Sequence, residues 1–109
     1  MEYFLQTISS INDESRLKIL NFIRVNGEVC VCDIENAFGM IQSRTSRHLK
    51  ILKEGGFLKV DRRGRWAYYS IRNPLDMFRQ SILDEISYLD VEHPSLTNCK
   101  ITSSKGKNL

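Results

Sequence analysis

Apolar residues recur at three- and four-residue spacing in blocks that polar or glycine-containing breaks separate, which predicts a mainly helical chain. Tyr3, Phe4, Leu5, Ile8 and Ile11 form the first block, a short helix ending near Ser9-Ser10. Asn12 or Asp13 is placed to cap a second helix, with Asp13 and Glu14 at its positive end. Leu17, Leu20 and Ile23 mark its inner face, Ile19 and Phe22 widen it, and Asn26-Gly27 stops it. Cys30 then falls at a helix N-cap with Asp33 three residues later, a capping box in which Cys replaces Ser. Ile34, Ala37 and Phe38 supply the apolar side of this brief third helix, and Gly39 turns the chain.

A fourth helix follows from about Gln42 to Glu54. Thr45, Leu49 and Leu52 line its core side, Ser43, Ser46, Arg47 and Lys50 its outer side, and Gly55-Gly56 ends it. Ile41 stands where a Ser or Thr cap is usual. Two short helices joined through glycine, the second polar outside, fit a helix-turn-helix as well as an ordinary helical hairpin. The next segment shifts the balance. Phe57–Asp61 and Trp66–Ile71 are rich in strand formers and flank Arg62-Arg63-Gly64-Arg65, so they predict a β-hairpin with a basic tip. Directly after a helix-turn-helix, such a hairpin reads as a wing whose arginines meet phosphate or minor groove.

Pro74 suits the first turn of a fifth helix, in which Leu75, Phe78, Ile82, Ile86 and Leu89 form a stripe. That stripe and Phe4, Leu5 and Ile8 of the first helix fit either internal packing or a homodimer surface, and the dimer is expected, since reading two half-sites about 34 Å apart requires two copies. Residues 90–109 are polar and unpatterned, and read as a mobile tail carrying His93 and Cys99. The expected fold class is therefore α+β, mainly α: a winged helix-turn-helix of about five helices and a hairpin wing, occupying residues 1–89.

Composition narrows the function. A chain of 109 residues accommodates one domain, and 41% hydrophobic with 27% charged residues suits an ordinary core. The net charge of +3 permits a polyanionic partner without requiring one, so the basic helix and wing decide in favour of DNA. Three cysteines, two of them as Cys30-Val31-Cys32, read as thiols of a reducing cytoplasm, because so close a pair rarely reaches disulfide geometry. The start lacks the pattern of a signal peptide, and no apolar run approaches the roughly 18 residues of a membrane span. An enzyme is not expected: the chain has no Cys-x-x-Cys, no phosphate-cradling glycine loop and no two-histidine metal motif. A metal-storage protein would have no use for the arginine wing.

The string Glu28-Val29-Cys30-Val31-Cys32-Asp33-Ile34 closely resembles the metal box of the ArsR/SmtB family of metal-responsive repressors. Gln42-Ser43-Arg44-Thr45-Ser46-Arg47-His48-Leu49 resembles that family's recognition helix, and Gly56 through Tyr69 its wing. The resemblance spans most of residues 3–89. It implies a dimeric repressor that holds operator DNA when metal-free and releases it when a thiophilic ion binds. Cys-Val-Cys-Asp is similar to the arsenic and antimony sensors of the family, which implies As(III) or Sb(III) as inducer and no organic cofactor. Many of those sensors carry a further cysteine where this chain has Glu35. The family's zinc site has no full match, since Asp76, Asp84 and Glu85 come without histidine. The cysteines of an N-terminal arm, usual in cadmium or lead sensors, are also missing before Cys30.

The candidate ligands are therefore Cys30, Cys32 and Cys99, with His93 a weaker substitute, because As(III) favours sulfur. On an intact helix residues two apart point about 200° away from each other, so both sulfurs are expected to reach one ion only if the third helix unwinds at its start. Gln42, Ser43, Ser46 and Arg47 are expected near base edges and phosphates, Arg44 and Lys50 on backbone, and Arg62, Arg63 and Arg65 along phosphates or in the minor groove. His48 is assigned either to phosphate or to packing. Alternatives within the same fold are a Cd(II)- or Pb(II)-responsive repressor, or a thiol redox sensor pairing Cys30 or Cys32 with Cys99.

Overall fold

A computed structural model describes residues 1–89; Cys99, His93 and the tail expected over 90–109 lie outside the described residues. The chain runs α1 (Glu2–Ile11), α2 (Glu14–Asn26), β1 (Val29–Cys30), α3 (Val31–Phe38), α4 (Gln42–Glu54), β2 (Leu58–Arg63), β3 (Trp66–Ile71) and α5 (Met77–Tyr88). Local chemistry explains most boundaries. Asp13 caps α2, its carboxylate accepting the Arg16 amide at 3.0 Å. Gly39 closes α3 in the left-handed conformation at φ 62°, which a side chain would resist. The β2–β3 loop is two residues long, and Gly64 supplies the positive φ that matches hairpin twist.

Ile19, Leu20, Phe22 and Ile23 of α2 form the centre of the core, all fully buried. Ile34 of α3, Leu49 and Leu52 of α4, Phe57, and Leu83 and Ile86 of α5 pack around them. Phe38 meets Phe22 edge-on with ring centres 5.5 Å apart. Thr45 is buried as expected on the inner side of α4, where its hydroxyl donates back to the Ile41 carbonyl.

Three expectations change. The hairpin is part of a three-stranded antiparallel sheet in the order β1-β3-β2, with Cys30 opposite Tyr68 and Val29 opposite Tyr69. A two-residue strand has no periodicity to read, so the sequence reading passed over it. The Asn73–Pro74 peptide is cis, and α5 begins only at Met77, because Asp76 caps it by accepting the Arg79 amide at 3.2 Å. Pro74 thus precedes the helix instead of opening it. Ile86, assigned to the dimer stripe, is 2% exposed and belongs to the core beside Leu83; Leu75 and Ile82 are half-buried against it. Phe4, Leu5, Ile8, Phe78 and Leu89 remain exposed, and Phe4 stacks on Phe78 at 5.1 Å.

A buried arginine ties α1, the end of α4 and the start of α5 together. Arg79 of α5 donates Nε–H to the Gly55 carbonyl at the end of α4 (2.8 Å) and a guanidinium N–H to Thr7 Oγ1 of α1. It also pairs with Asp76 at 2.6 Å, and this bond holds the Asp76 carboxyl below its usual range. Tyr3 covers the guanidinium at 4.6 Å.

Candidate metal centre and nucleic-acid interface

The capping box read from the sequence is present. Cys30 Sγ accepts the Cys32 amide at 3.2 Å, and Asp33 Oδ2 accepts the Cys30 amide at 3.0 Å. This cap overturns the geometric argument made for the cysteine pair. Cys30 is not a helical residue: as N-cap it has extended backbone (φ −90°, ψ 161°), so the 200° separation of helical neighbours does not apply. Its sulfur turns back over the first turn of α3 and meets that of Cys32. The structure joins the two as a disulfide, where separate thiols were expected. Convergence therefore needs no unwinding. The Asp33 carboxylate completes a cluster whose donor atoms lie within 4.8 Å of one another. Asp33 was legible as a capping residue and was missed as a neighbour of the sulfurs.

The two sulfurs differ in access. Cys30 is 1% exposed, held by β1 against the wing strand β3, whereas Cys32 is half-buried and lines a cleft of about 640 Å³. Gln42, Ser46, Lys50 and Lys53 of α4 form another wall of that cleft, and Arg62, Arg65 and Trp66 of the wing another. One candidate metal ligand, Cys32, thus shares a cavity with the candidate DNA readers Gln42, Ser46, Lys50, Arg62 and Arg65. Lys53 and Trp66 belong to it and were not singled out from the sequence; Lys53, three residues after Lys50 on α4, was the available signal.

The reader residues divide. Gln42, Ser43, Arg44, Ser46, Arg47 and Lys50 are all exposed on α4. His48 is not: it is 6% exposed, with Nδ1 3.4 Å from Arg16 Nη1 and Nε2 buried without a hydrogen-bond partner among the described residues. Burial, with Arg16, Arg44 and Arg47 adding repulsion, pushes its pKa below 6.5 against the opposing pull of Asp13. The packing role is the one the structure supports, and phosphate contact by His48 is withdrawn. Arg16 itself donates to the Ser9 and Ser10 carbonyls, so it links the end of α1 to the reader helix.

The three wing arginines also differ. Arg62 and Arg65 face the cleft. Arg63 points to the opposite face, as alternation along a strand requires. There it pairs with Glu28 and with Asp61 (3.0 Å) and lies 4.2 Å over the Tyr68 ring. The hydrogen bond to Glu28 is the largest of several effects that raise its pKa. Arg63 braces the wing to the segment just before Cys30 while its side chain stays half-exposed, so these ion pairs compete with its expected contact with phosphate or minor groove. Among the described residues no helix is long and apolar enough to cross a membrane.

A sequence profile of the arsR family of bacterial regulatory proteins matches residues 13–60. The chain is 35% identical over 81 residues to the arsenical resistance operon repressor of Escherichia coli strain K12, covering 74% of this chain and 69% of that one. It is 33% identical over 66 residues to a cadmium resistance transcriptional regulatory protein, a CadC homologue, of Staphylococcus aureus, covering 61% of this chain and 54% of that one. Among solved structures, the homodimeric winged helix-turn-helix DNA-binding domain of a possible ArsR-family regulator from Mycobacterium bovis superposes with a TM-score of 0.65 at 26% identity, over 83% of this chain and 77% of that domain. Element order, sheet and sequence agree: this chain belongs to the ArsR family of transcriptional regulators and has its winged helix-turn-helix fold.

Proposed function

We propose that the protein is a cytoplasmic, homodimeric repressor that holds operator DNA and releases it when As(III) or Sb(III) engages the reduced Cys30–Cys32 pair. The observation that carries this reading is the meeting of the two sulfurs at the cap of α3, with Cys32 on the wall of a cleft shared with α4 and the wing. The donor set suits a thiophilic ion: two soft sulfurs converge, and the one hard oxygen nearby already accepts the Cys30 amide. Cys99 is the candidate third sulfur, from the same subunit or its partner. The arsenical-resistance relative adds weight to arsenic; the cadmium-resistance relative keeps Cd(II) in the comparison.

The chain's own contacts supply the coupling. Cys30 Sγ caps α3 and its backbone belongs to the sheet that carries the wing. Seating both sulfurs on one ion spreads them further apart than in the joined pair and draws Cys30 Sγ off the Cys32 amide, so the cap is lost at about 0.5–2 kcal/mol. That range overlaps the roughly 1–3 kcal/mol typical of coupling between sites. Gln42, Ser43, Ser46 and Arg47 are the proposed base and phosphate contacts; Arg44, Lys50, Arg62 and Arg65 are the proposed backbone contacts. The exposed Phe4, Leu5, Ile8, Phe78 and Leu89 are the proposed dimer face.

An operator-release titration with As(III), Sb(III), Cd(II) and Pb(II), repeated on Cys30→Ser and Cys32→Ser, tests the reading. Wild type should release DNA at the lowest As(III) or Sb(III) concentration and both variants should hold it; release by either variant at the wild-type concentration refutes the reading. The Cys30–Cys32 disulfide favours one second reading, a thiol-redox response. Release on oxidation alone, with no response to As(III) under reductant, would select it.

A further inference from the structure

We infer that the cleft beside Cys32 is a binding site for a low-molecular-weight thiol bearing carboxylates, which supplies the third sulfur to an ion held by Cys30 and Cys32. This rests on the function proposed above and gives its third sulfur to the small thiol in place of Cys99. Three observations on different parts of the cleft lead there. The first is that the described cluster is one soft donor short, because its third member is a carboxylate already accepting the Cys30 amide. The second is access. Cys30 is sealed behind the sheet, so an additional donor has to come from the side of Cys32, where about 640 Å³ of open cleft is large enough for a peptide-sized thiol. The third is charge. Among the described residues, Lys50, Lys53, Arg62 and Arg65 line the cleft against two carboxylates, Glu35 and Glu54, and such a concave basic surface concentrates small anions.

The step balances without electron transfer. Starting from the reduced pair, As(OH)3 exchanges its three hydroxyls for the sulfurs of Cys30, Cys32 and the small thiol. Three As–S bonds replace three As–O bonds, and each departing hydroxide leaves with one thiol proton as water. The carboxylates of the small thiol then lie among the cations proposed to meet DNA phosphate, so the ligand and the operator compete for the same charges.

The full-length Cys99→Ser protein, reduced and free of DNA, is loaded with As(III) in the presence of glutathione, β-mercaptoethanol or cysteamine, which are respectively anionic, neutral and cationic. Native mass spectrometry reads the bound species, and arsenic X-ray absorption reads the donors. The expected species is one protein chain, one arsenic and one glutathione, with three sulfurs and no oxygen around arsenic. Cysteamine should be retained about tenfold more weakly, as expected for reversing charge near several cations at partly screened distances. Lys53→Glu, a change at an exposed position, should reduce that preference. Arsenic bound with no retained thiol overturns the inference and leaves the proposed function standing. Retention of all three thiols alike overturns the assignment of the cleft. Wild type that holds arsenic by three sulfurs but excludes glutathione also overturns it, since Cys99 then provides the donor. Failure of the protein to bind arsenic at all overturns the function itself.

Discussion

Cys30 has two separable duties, and two substitutions pull them apart. Its sulfur accepts the Cys32 amide at 3.2 Å, while its own amide donates to Asp33 at 3.0 Å. Cys30→Ala removes the first bond and keeps the second. At a buried cap that loss is worth about 1 kcal/mol, within a measured spread of roughly 0.5–2. Cys30→Ser restores an acceptor at nearly the same place, and oxygen accepts an amide proton better than sulfur does. Under reductant the serine protein should therefore be more stable than the alanine protein by about 1 kcal/mol. For a domain of this size that separates the melting temperatures by roughly 4–8 °C. Neither variant should release operator DNA on addition of As(III). Thermal melts followed by circular dichroism give the first comparison, and fluorescence anisotropy of labelled operator gives the second. Equal melting temperatures for Ser and Ala would show that the sulfur does not cap α3. A serine protein that still responds to As(III) would show that the response does not depend on this sulfur.

Other outcomes follow from the same contacts. Arg79→Met should cost about 2–4 kcal/mol in urea unfolding, since it strips the Gly55 carbonyl and Thr7 hydroxyl of a buried charged donor; a change below about 0.5 kcal/mol would mean that water replaces it. Gly56→Ala should also destabilise, because φ is +89° and an added Cβ would press on the same guanidinium. The neutral His48 sets a pH window: its folded pKa lies below 6.5, so the unfolded chain binds more protons between the two values. Its contribution is complete above pH 6.5 and is lost as pH falls towards the folded pKa, and His48→Gln should flatten that part of the stability profile. On DNA, Arg65→Gln should reduce the slope of log affinity against log salt by about one, whereas Arg63→Gln should leave the slope nearly unchanged. Equal slopes for the two would contradict the separation of Arg65, in the cleft, from Arg63, in its ion pairs.

The sequence alone determined what local rules govern. The four helices from Glu2 to Glu54 and the hairpin emerge from apolar spacing, caps and glycines, and the Cys30–Asp33 box was legible residue by residue. So was the polar outer side of α4, because period 3.6 decides which residues face the core. Tertiary structure decided everything that depends on which surfaces meet. β1 exists only because β3 lies beside it. Ile86 is core and Phe78 surface because of which side of α5 packs against α2, and His48 is buried because Arg16 and α2 cover it. Arg63 turns from the cleft to Glu28 through strand alternation, a matter of one residue in register. The cysteine pair combines both levels. Its place at the start of α3 was readable in the sequence, but an N-cap residue is set by the strand before it as much as by the helix after it. Only the folded chain brings the two sulfurs together and opens one of them to the cleft beneath the reader and the wing.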